Sequence, residues 1–153
     1  MNARLENTLL TGLHFLLSYS CTYECDHCFV YSSPNAGGTF TLAQVREVLE
    51  EAQAMGTVTT VFFEGGEPFL YYPLLLESVK IARAAGFDVG VVTNGYFAVS
   101  EEDAELWVAP LRDLGVSDLT ISDDVLHNGD EEDTASRRAF AAAEKLGDRK
   151  SVV

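Results

Sequence analysis

Apolar and polar positions follow two alternating patterns along the chain, and these patterns predict strands and helices in turn. Four short, nearly continuous apolar runs are typical of strands that are covered on both faces, and each is followed by a segment of helical periodicity. The predicted strands are 10–20, 57–66, 87–95 and 117–124, the predicted helices are 41–56, 71–86, 100–115 and 134–147, and 148–153 reads as the start of a fifth strand. Four βα units in succession predict a parallel sheet with right-handed crossovers, in a barrel-type or a doubly wound α/β fold.

Local signals predict where the helices begin and end. Thr41 and Gln44 are placed as a capping box for the first helix, and Gly56 is placed to end it. Pro110 falls inside the third predicted helix and should kink or end it. His14 is the one basic residue of a mostly apolar strand, so we expect it to be a satisfied core residue.

Composition and charge narrow the classes of partner and compartment. The 153 residues, 47% hydrophobic, are enough for one globular domain with a sizeable core. The net charge of −14 argues against a nucleic-acid or anionic-membrane partner. The sequence has no run of 18 apolar residues and no signal peptide, so we expect a cytoplasmic protein. In that reducing compartment, clustered thiols are more often metal ligands than disulfides.

The chemically distinctive segments all follow predicted strands. They are a cysteine loop after the first strand, EGGEP after the second, TNG after the third and SDD after the fourth. In a parallel α/β sheet the loops after the strands converge on one edge, where active sites form. Four such endings on the same edge predict a functional site there.

The first of these segments holds all three cysteines of the chain, Cys21, Cys25 and Cys28. Three thiolates at spacings of four and three can bind three corners of an iron–sulfur cubane and leave the fourth iron open. A zinc site completed by a histidine is the alternative, although structural zinc favours two separated pairs of ligands.

The pattern C-x3-C-x2-C resembles the signature of the radical S-adenosylmethionine (SAM) superfamily, and His27 takes the position where that motif commonly carries an aromatic residue. GGEP is similar to the family motif whose backbone receives the methionine amino group of SAM. TNG and TISDD resemble the segments where polar groups of the family approach SAM and the substrate. The cofactor-binding residues that the resemblance implies are Gly65, Gly66, Glu67, Pro68, His27, Asn94, Ser122 and Asp124.

The resemblance implies a partial (β/α)6 barrel with a [4Fe-4S] cluster on the three cysteines and SAM on the open iron. It also implies an oxidoreductase-type reaction, in which one electron cleaves SAM and the resulting 5′-deoxyadenosyl radical abstracts a substrate hydrogen. The electron would come from a donor such as flavodoxin or ferredoxin. The segment LSYSCTYECDHCF is similar to the branch that modifies peptides or matures enzyme cofactors, with a peptide or a small molecule as substrate.

Two expectations concern what this chain does alone. The family core has six strands and this sequence stops as the fifth would begin, so we expect residues 1–153 to be the N-terminal portion of a core domain truncated after about four βα units. The alternative to an enzyme is a non-catalytic iron–sulfur or electron-transfer module. Reductive formation of 5′-deoxyadenosine from SAM distinguishes the two.

Overall fold

The computed structural model describes residues 9–123, 134–147 and 150–152, and five strands in that part of the chain form one parallel sheet in the order β1-β2-β3-β4-β5. The strands are β1 (Gly12–Ser18), β2 (Thr60–Gly65), β3 (Asp88–Thr93), β4 (Asp118–Ile121) and β5 (Lys150–Val152). The helices are α1 (Leu42–Met55), α2 (Tyr72–Ala84), α3 (Glu101–Asp113) and α4 (Ala135–Lys145), with a 3-10 helix at Pro68–Tyr71 before α2.

The consecutive order of the strands decides between the two predicted folds. A doubly wound sheet reverses its strand order and carries helices on both faces, whereas a barrel-type sheet keeps the order and carries them on one. Alternate strand residues such as Phe63, Val91 and Leu119 are buried in one core with helix residues such as Leu75 and Val108. The fold is therefore a partial barrel, and the predicted alternation of strands and helices is confirmed.

The ends of α1 follow the predicted capping. The Thr41 backbone N–H donates to Gln44 Oε1 at 2.9 Å, and the Gln44 backbone N–H donates to Thr41 Oγ1 at 3.3 Å. Gly56 follows the helix with φ at 71°, a left-handed conformation that costs glycine little.

The prediction that Pro110 would kink or end the third helix is wrong as to the end, because α3 continues to Asp113. A proline inside a helix removes the hydrogen bond to the carbonyl four residues earlier, here that of Leu106. Leu106 is 68% exposed, so water can bond that carbonyl in place of the chain.

The prediction that His14 is a core residue is also wrong. It lies on the face of the sheet opposite the helices, where its side chain is 59% exposed and its Nδ1 is 2.9 Å from Glu64 Oε1. Its ring stacks on Phe62 with centroids 5.0 Å apart. On the neighbouring strand β3, Gly90 pairs with Phe62, and a Cβ added at Gly90 would stand 2.2 Å from the Phe62 ring. This second face of the sheet is thus only partly covered by described residues.

The last strand lies within the predicted segment 148–153, and β5 pairs in parallel with β4 through Leu119↔Lys150 and two further pairs. Asp124 lies outside the described residues. None of the described helices is both long and apolar enough to cross a membrane.

Candidate functional site

A cleft of about 310 Å³ opens at the carboxyl ends of β1 to β4. It brings together most of the residues that the sequence singled out: Cys21, Cys25, His27, Cys28, Gly65, Gly66, Asn94 and Ser122 all line it. Glu67 and Pro68 do not line the cleft and are buried just behind it. Segments more than 100 residues apart in sequence, from Cys21 to Ser122, therefore meet at one edge of the sheet, as the predicted parallel topology requires.

Backbone hydrogen bonds close the cysteine loop, residues 21–33, shortly after the end of β1. The Cys21 N–H donates to Ser33 O at 3.1 Å, and the Cys28 N–H donates to Cys25 O at 3.0 Å. Tyr31 in this loop has φ at 54°, an uncommon conformation for a residue with a side chain. The loop is thus a folded element, with its two ends joined beside β1.

Nitrogen donors approach the sulfur atoms of Cys21 and Cys28. The Tyr23 N–H donates to Cys21 Sγ at 3.4 Å, and the Ser32 N–H donates to Cys28 Sγ at 3.4 Å. The Asn94 side chain donates to Cys21 Sγ at 3.6 Å. Hydrogen bonds of this type stabilise thiolate ligands and tune iron–sulfur clusters.

The surroundings of Cys21 change the pKa of its thiol. Burial raises the pKa of its thiol, and the negative charge of Glu67 raises it further, while the donors Tyr23 and Asn94 lower it. The net pKa of the free thiol lies above its ordinary value, so a bound cation would be needed to hold Cys21 as a thiolate at neutral pH.

The two glycines of the GGEP segment are required by the chain itself. A Cβ at Gly66 would lie 2.2 Å from Ser20 O, and a Cβ at Gly65 would lie 2.6 Å from Ser18 O. The Gly66 N–H donates to Ser18 O at 2.6 Å, and the Glu67 N–H donates to Ser20 O at 2.8 Å. The close approach that we expected toward a ligand is therefore also an approach to the strand end that carries the cysteine loop.

Glu67 is a fully buried carboxylate that joins the ends of β2 and β3. Its Oε1 accepts from the Phe69 N–H at 3.0 Å and from Thr93 Oγ1 at 2.8 Å, and its Oε2 accepts from the Asn94 N–H at 2.8 Å. Burial raises the pKa of Glu67 to about 7, although all three hydrogen bonds favour the charged form. The sequence predicted Glu67 at the cofactor, whereas the structure places its side chain behind the cleft.

Sequence reasoning missed Ser32, a polar residue of the cleft. Its side chain is 4% exposed and its Oγ has no hydrogen-bond partner among the described residues. Buried hydroxyl groups are normally bonded, so an unpaired one on a cleft wall fits a site that receives a polar group. Only its position four residues after Cys28 could have pointed to it.

The donor set fits an iron–sulfur cluster. None of the three cysteines forms a disulfide, and all three are half-buried and line the cleft. No three His, Cys, Asp or Glu side chains of the described residues converge closely enough to hold one metal ion. Thiolates that bind separate irons of a cubane need not converge on one point, so this arrangement is compatible with a cluster.

A larger cavity of about 490 Å³ runs along the edge of β1 near α1. Its walls are mainly apolar and include Leu13, Phe15, Phe40 and Val48. No cysteine lines it, so the candidate chemistry belongs to the smaller cleft.

Comparison with known proteins identifies the family to which the chain is similar. The family model described as Radical SAM superfamily matches residues 15–149. A Bacillus subtilis (strain 168) protein named for peptide biosynthesis, YydG, is 31% identical over 111 residues, which are 72% of this chain and 35% of that protein. A tungsten-containing aldehyde ferredoxin oxidoreductase cofactor-modifying protein of Pyrococcus furiosus is 27% identical over 115 residues, 74% of this chain and 31% of that protein.

A solved structure has the same fold. The crystal structure of BtrN in complex with AdoMet and 2-DOIA matches with a TM-score of 0.68 at 17% identity, over 95% of this chain and 56% of that one. The chain thus spans about a third of the length of the two curated relatives, and a little more than half of BtrN.

Proposed function

Because the chain belongs to the radical SAM superfamily of enzymes, we propose that it binds a [4Fe-4S] cluster and cleaves SAM reductively. The observation that carries this proposal is the meeting of Cys21, Cys25 and Cys28 with Gly65 and Gly66 in one cleft. Three thiolates from one loop leave one iron free for an external ligand.

Residues of the cleft divide between the two cofactors. The three cysteines would hold the cluster, and the backbone at Gly65 and Gly66 would receive the amino group of SAM. His27 and Ser122, on the cleft walls, would contact the rest of SAM. When bound, the cluster would supply one electron that cleaves SAM into methionine and a 5′-deoxyadenosyl radical, and this radical would take a hydrogen atom from the substrate to give 5′-deoxyadenosine.

The chemistry of this reaction requires an electron donor and a reducing compartment. A one-electron donor such as flavodoxin or ferredoxin would reduce the protein. Three clustered thiols that must stay reduced also favour the cytoplasm as the place of action.

The test of the reaction is anaerobic reconstitution with iron and sulfide, reduction, and measurement of 5′-deoxyadenosine formed from SAM. We expect its formation by the wild-type protein and none by a variant with all three cysteines changed to alanine. Cluster uptake without any 5′-deoxyadenosine would instead support the non-catalytic iron–sulfur module.

For the substrate we propose a peptide. The supporting observation is the 31% identity to the relative named for peptide biosynthesis, which exceeds the 27% identity to the cofactor-modifying relative. Maturation of an enzyme cofactor is the second candidate.

Deuterium transfer separates the two substrate classes even while the substrate itself is unidentified. The reduced holoprotein would be incubated with SAM and an extract of deuterated cells that has been separated into peptide and small-molecule fractions. Deuterium in 5′-deoxyadenosine only with the peptide fraction is the expected result, and deuterium only with the small-molecule fraction would refute the peptide assignment.

A further inference from the structure

Every polar group of Asn94, in its backbone and in its side chain, has a hydrogen-bond partner. Its N–H donates to Glu67 Oε2 at 2.8 Å, and its carbonyl accepts from Ser136 Oγ at 3.1 Å. Its Oδ1 accepts from the Tyr96 N–H at 3.0 Å. Its Nδ2 donates to Thr22 Oγ1 at 3.0 Å and to Cys21 Sγ at 3.6 Å.

These bonds fix which end of the amide faces the sulfur. The Tyr96 N–H is a donor and can face only the amide oxygen, so the amide NH2 group must point toward Cys21. Asn94 is 6% exposed, and water therefore competes little for this contact. The side chain has one orientation, and in that orientation it presents N–H groups to the cysteine loop.

The support for Asn94 comes from two other elements. Glu67, on the loop after β2, bonds both Thr93 and Asn94 at the end of β3. Ser136, buried in α4, bonds the Asn94 carbonyl from the opposite direction. Three βα units thus cooperate to place one side chain beside Cys21.

We propose that Asn94 tunes the cluster rather than SAM: its amide donates to the Cys21 thiolate and raises the reduction potential of the cluster, and Glu67 is the positioning residue that keeps it there. An added electron increases the negative charge on the cluster and its sulfurs, so a hydrogen-bond donor stabilises the reduced form more than the oxidised form. This inference rests on the proposed function, because it requires a cluster on the three cysteines.

The test is the midpoint potential of the reconstituted holoprotein, measured without SAM by anaerobic redox titration followed by electron paramagnetic resonance. Asn94→Ala should shift the potential to more negative values. Asn94→Asp conserves the size of the residue but replaces the donor with a charged acceptor, so it should produce a larger negative shift. If the alanine variant takes up little iron, the potential of Asn94→Asp tests the inference in its place.

Two further variants separate this role from general effects of polarity and charge. Thr22→Ala removes the other acceptor of the same amide but keeps its bond to sulfur, so its potential should match the wild type. Glu67→Gln should shift the potential negative, because an amide NH2 at that place would face the Asn94 N–H and displace the residue. When the potential is measured at a pH above the Glu67 pKa of about 7, removal of the negative charge alone would shift the potential positive, so the sign decides whether Glu67 acts by position.

Unchanged potentials in both Asn94 variants would overturn the inference, as would an equal shift in Thr22→Ala. A positive shift or no shift in Glu67→Gln would overturn the positioning role of Glu67. Iron and sulfide are counted in every sample. A wild-type protein that takes up no cluster would refute the proposed function itself, which is a different result from a loaded protein whose potential ignores Asn94.

Discussion

Glu67 makes the stability of the protein depend on pH in a direction opposite to that of most carboxylates. Its pKa lies at about 7 in the folded chain, against an ordinary value of 4.5, because burial disfavours the charged form. The folded state therefore holds the Glu67 proton more tightly than the unfolded state does. The stabilisation linked to Glu67 is complete below about pH 4.5 and is lost as the pH rises to about 7.

The size of this effect follows from the pKa difference. Each pH unit between 4.5 and about 7 is equivalent to about 1.36 kcal/mol, so the free energy of unfolding should fall by about 3 kcal/mol across this window through Glu67 alone. Glu67→Gln removes the titrating group and conserves its size. We expect the difference in unfolding free energy, wild type minus variant, to fall by about 3 kcal/mol between about pH 4.5 and about pH 7.5.

Urea unfolding of the cluster-free chain at several pH values measures this difference. The single tryptophan, Trp107, is a local probe, because its ring lies 5.4 Å from Phe97 and 6.1 Å from Phe69, two residues after Glu67. Glu50→Gln, on an exposed part of α1, is the matched control for loss of one carboxyl group. If the difference between the wild type and Glu67→Gln stays flat with pH, the three hydrogen bonds outweigh burial and keep Glu67 charged.

Three other predictions test the site and the fold. Anaerobic reconstitution should give about four iron and four sulfide per chain; one tightly held zinc with no iron uptake would contradict the cluster. Gly66→Ala should cost about 1–3 kcal/mol of stability and reduce iron uptake together with SAM binding, because its Cβ would meet Ser20 O at 2.2 Å, whereas Gly37→Ala has nothing within 4 Å and should change neither. Thr41→Ala should lower the free energy of unfolding by about 1 kcal/mol through loss of the capping box, and an unchanged urea midpoint would refute that role.

The sequence predicts the fold and the cysteine loop well because their signals are local. Capping residues, glycines and apolar periodicity determine single elements, and consecutive βα units leave few topologies open. The contacts of Glu67 and Asn94 carry no such signal, because the two residues are 27 positions apart and meet only through the pairing of β2 with β3. The sequence therefore predicted GGEP as a cofactor-binding segment, whereas its carboxylate, that of Glu67, accepts hydrogen bonds from Thr93 and Asn94 at the end of β3.

Solvent exposure explains why His14 is not a core residue and why α3 does not end at Pro110. The apolar run of β1 suggested that both of its faces are covered, yet its buried apolar residues are Phe15 and Leu17 on one face, and His14 on the other face is exposed. Pro110 breaks one hydrogen bond, but solvent accessible at Leu106 can replace it. In both cases exposure decided the outcome, and exposure is a property of the assembled fold.

The consecutive strand order also has a consequence for biosynthesis. Each βα unit can dock on the preceding one as it leaves the ribosome, because no strand must wait for a later one to be inserted beside it. The cysteine loop emerges first, but Asn94 follows 66 residues after Cys28. At a synthesis rate of roughly 5–20 residues per second, the thiols stand for about 3–13 s before the side chain that faces Cys21 exists. A cluster inserted within that interval would lie on the cysteine loop without the amide donor that faces Cys21 in the folded chain.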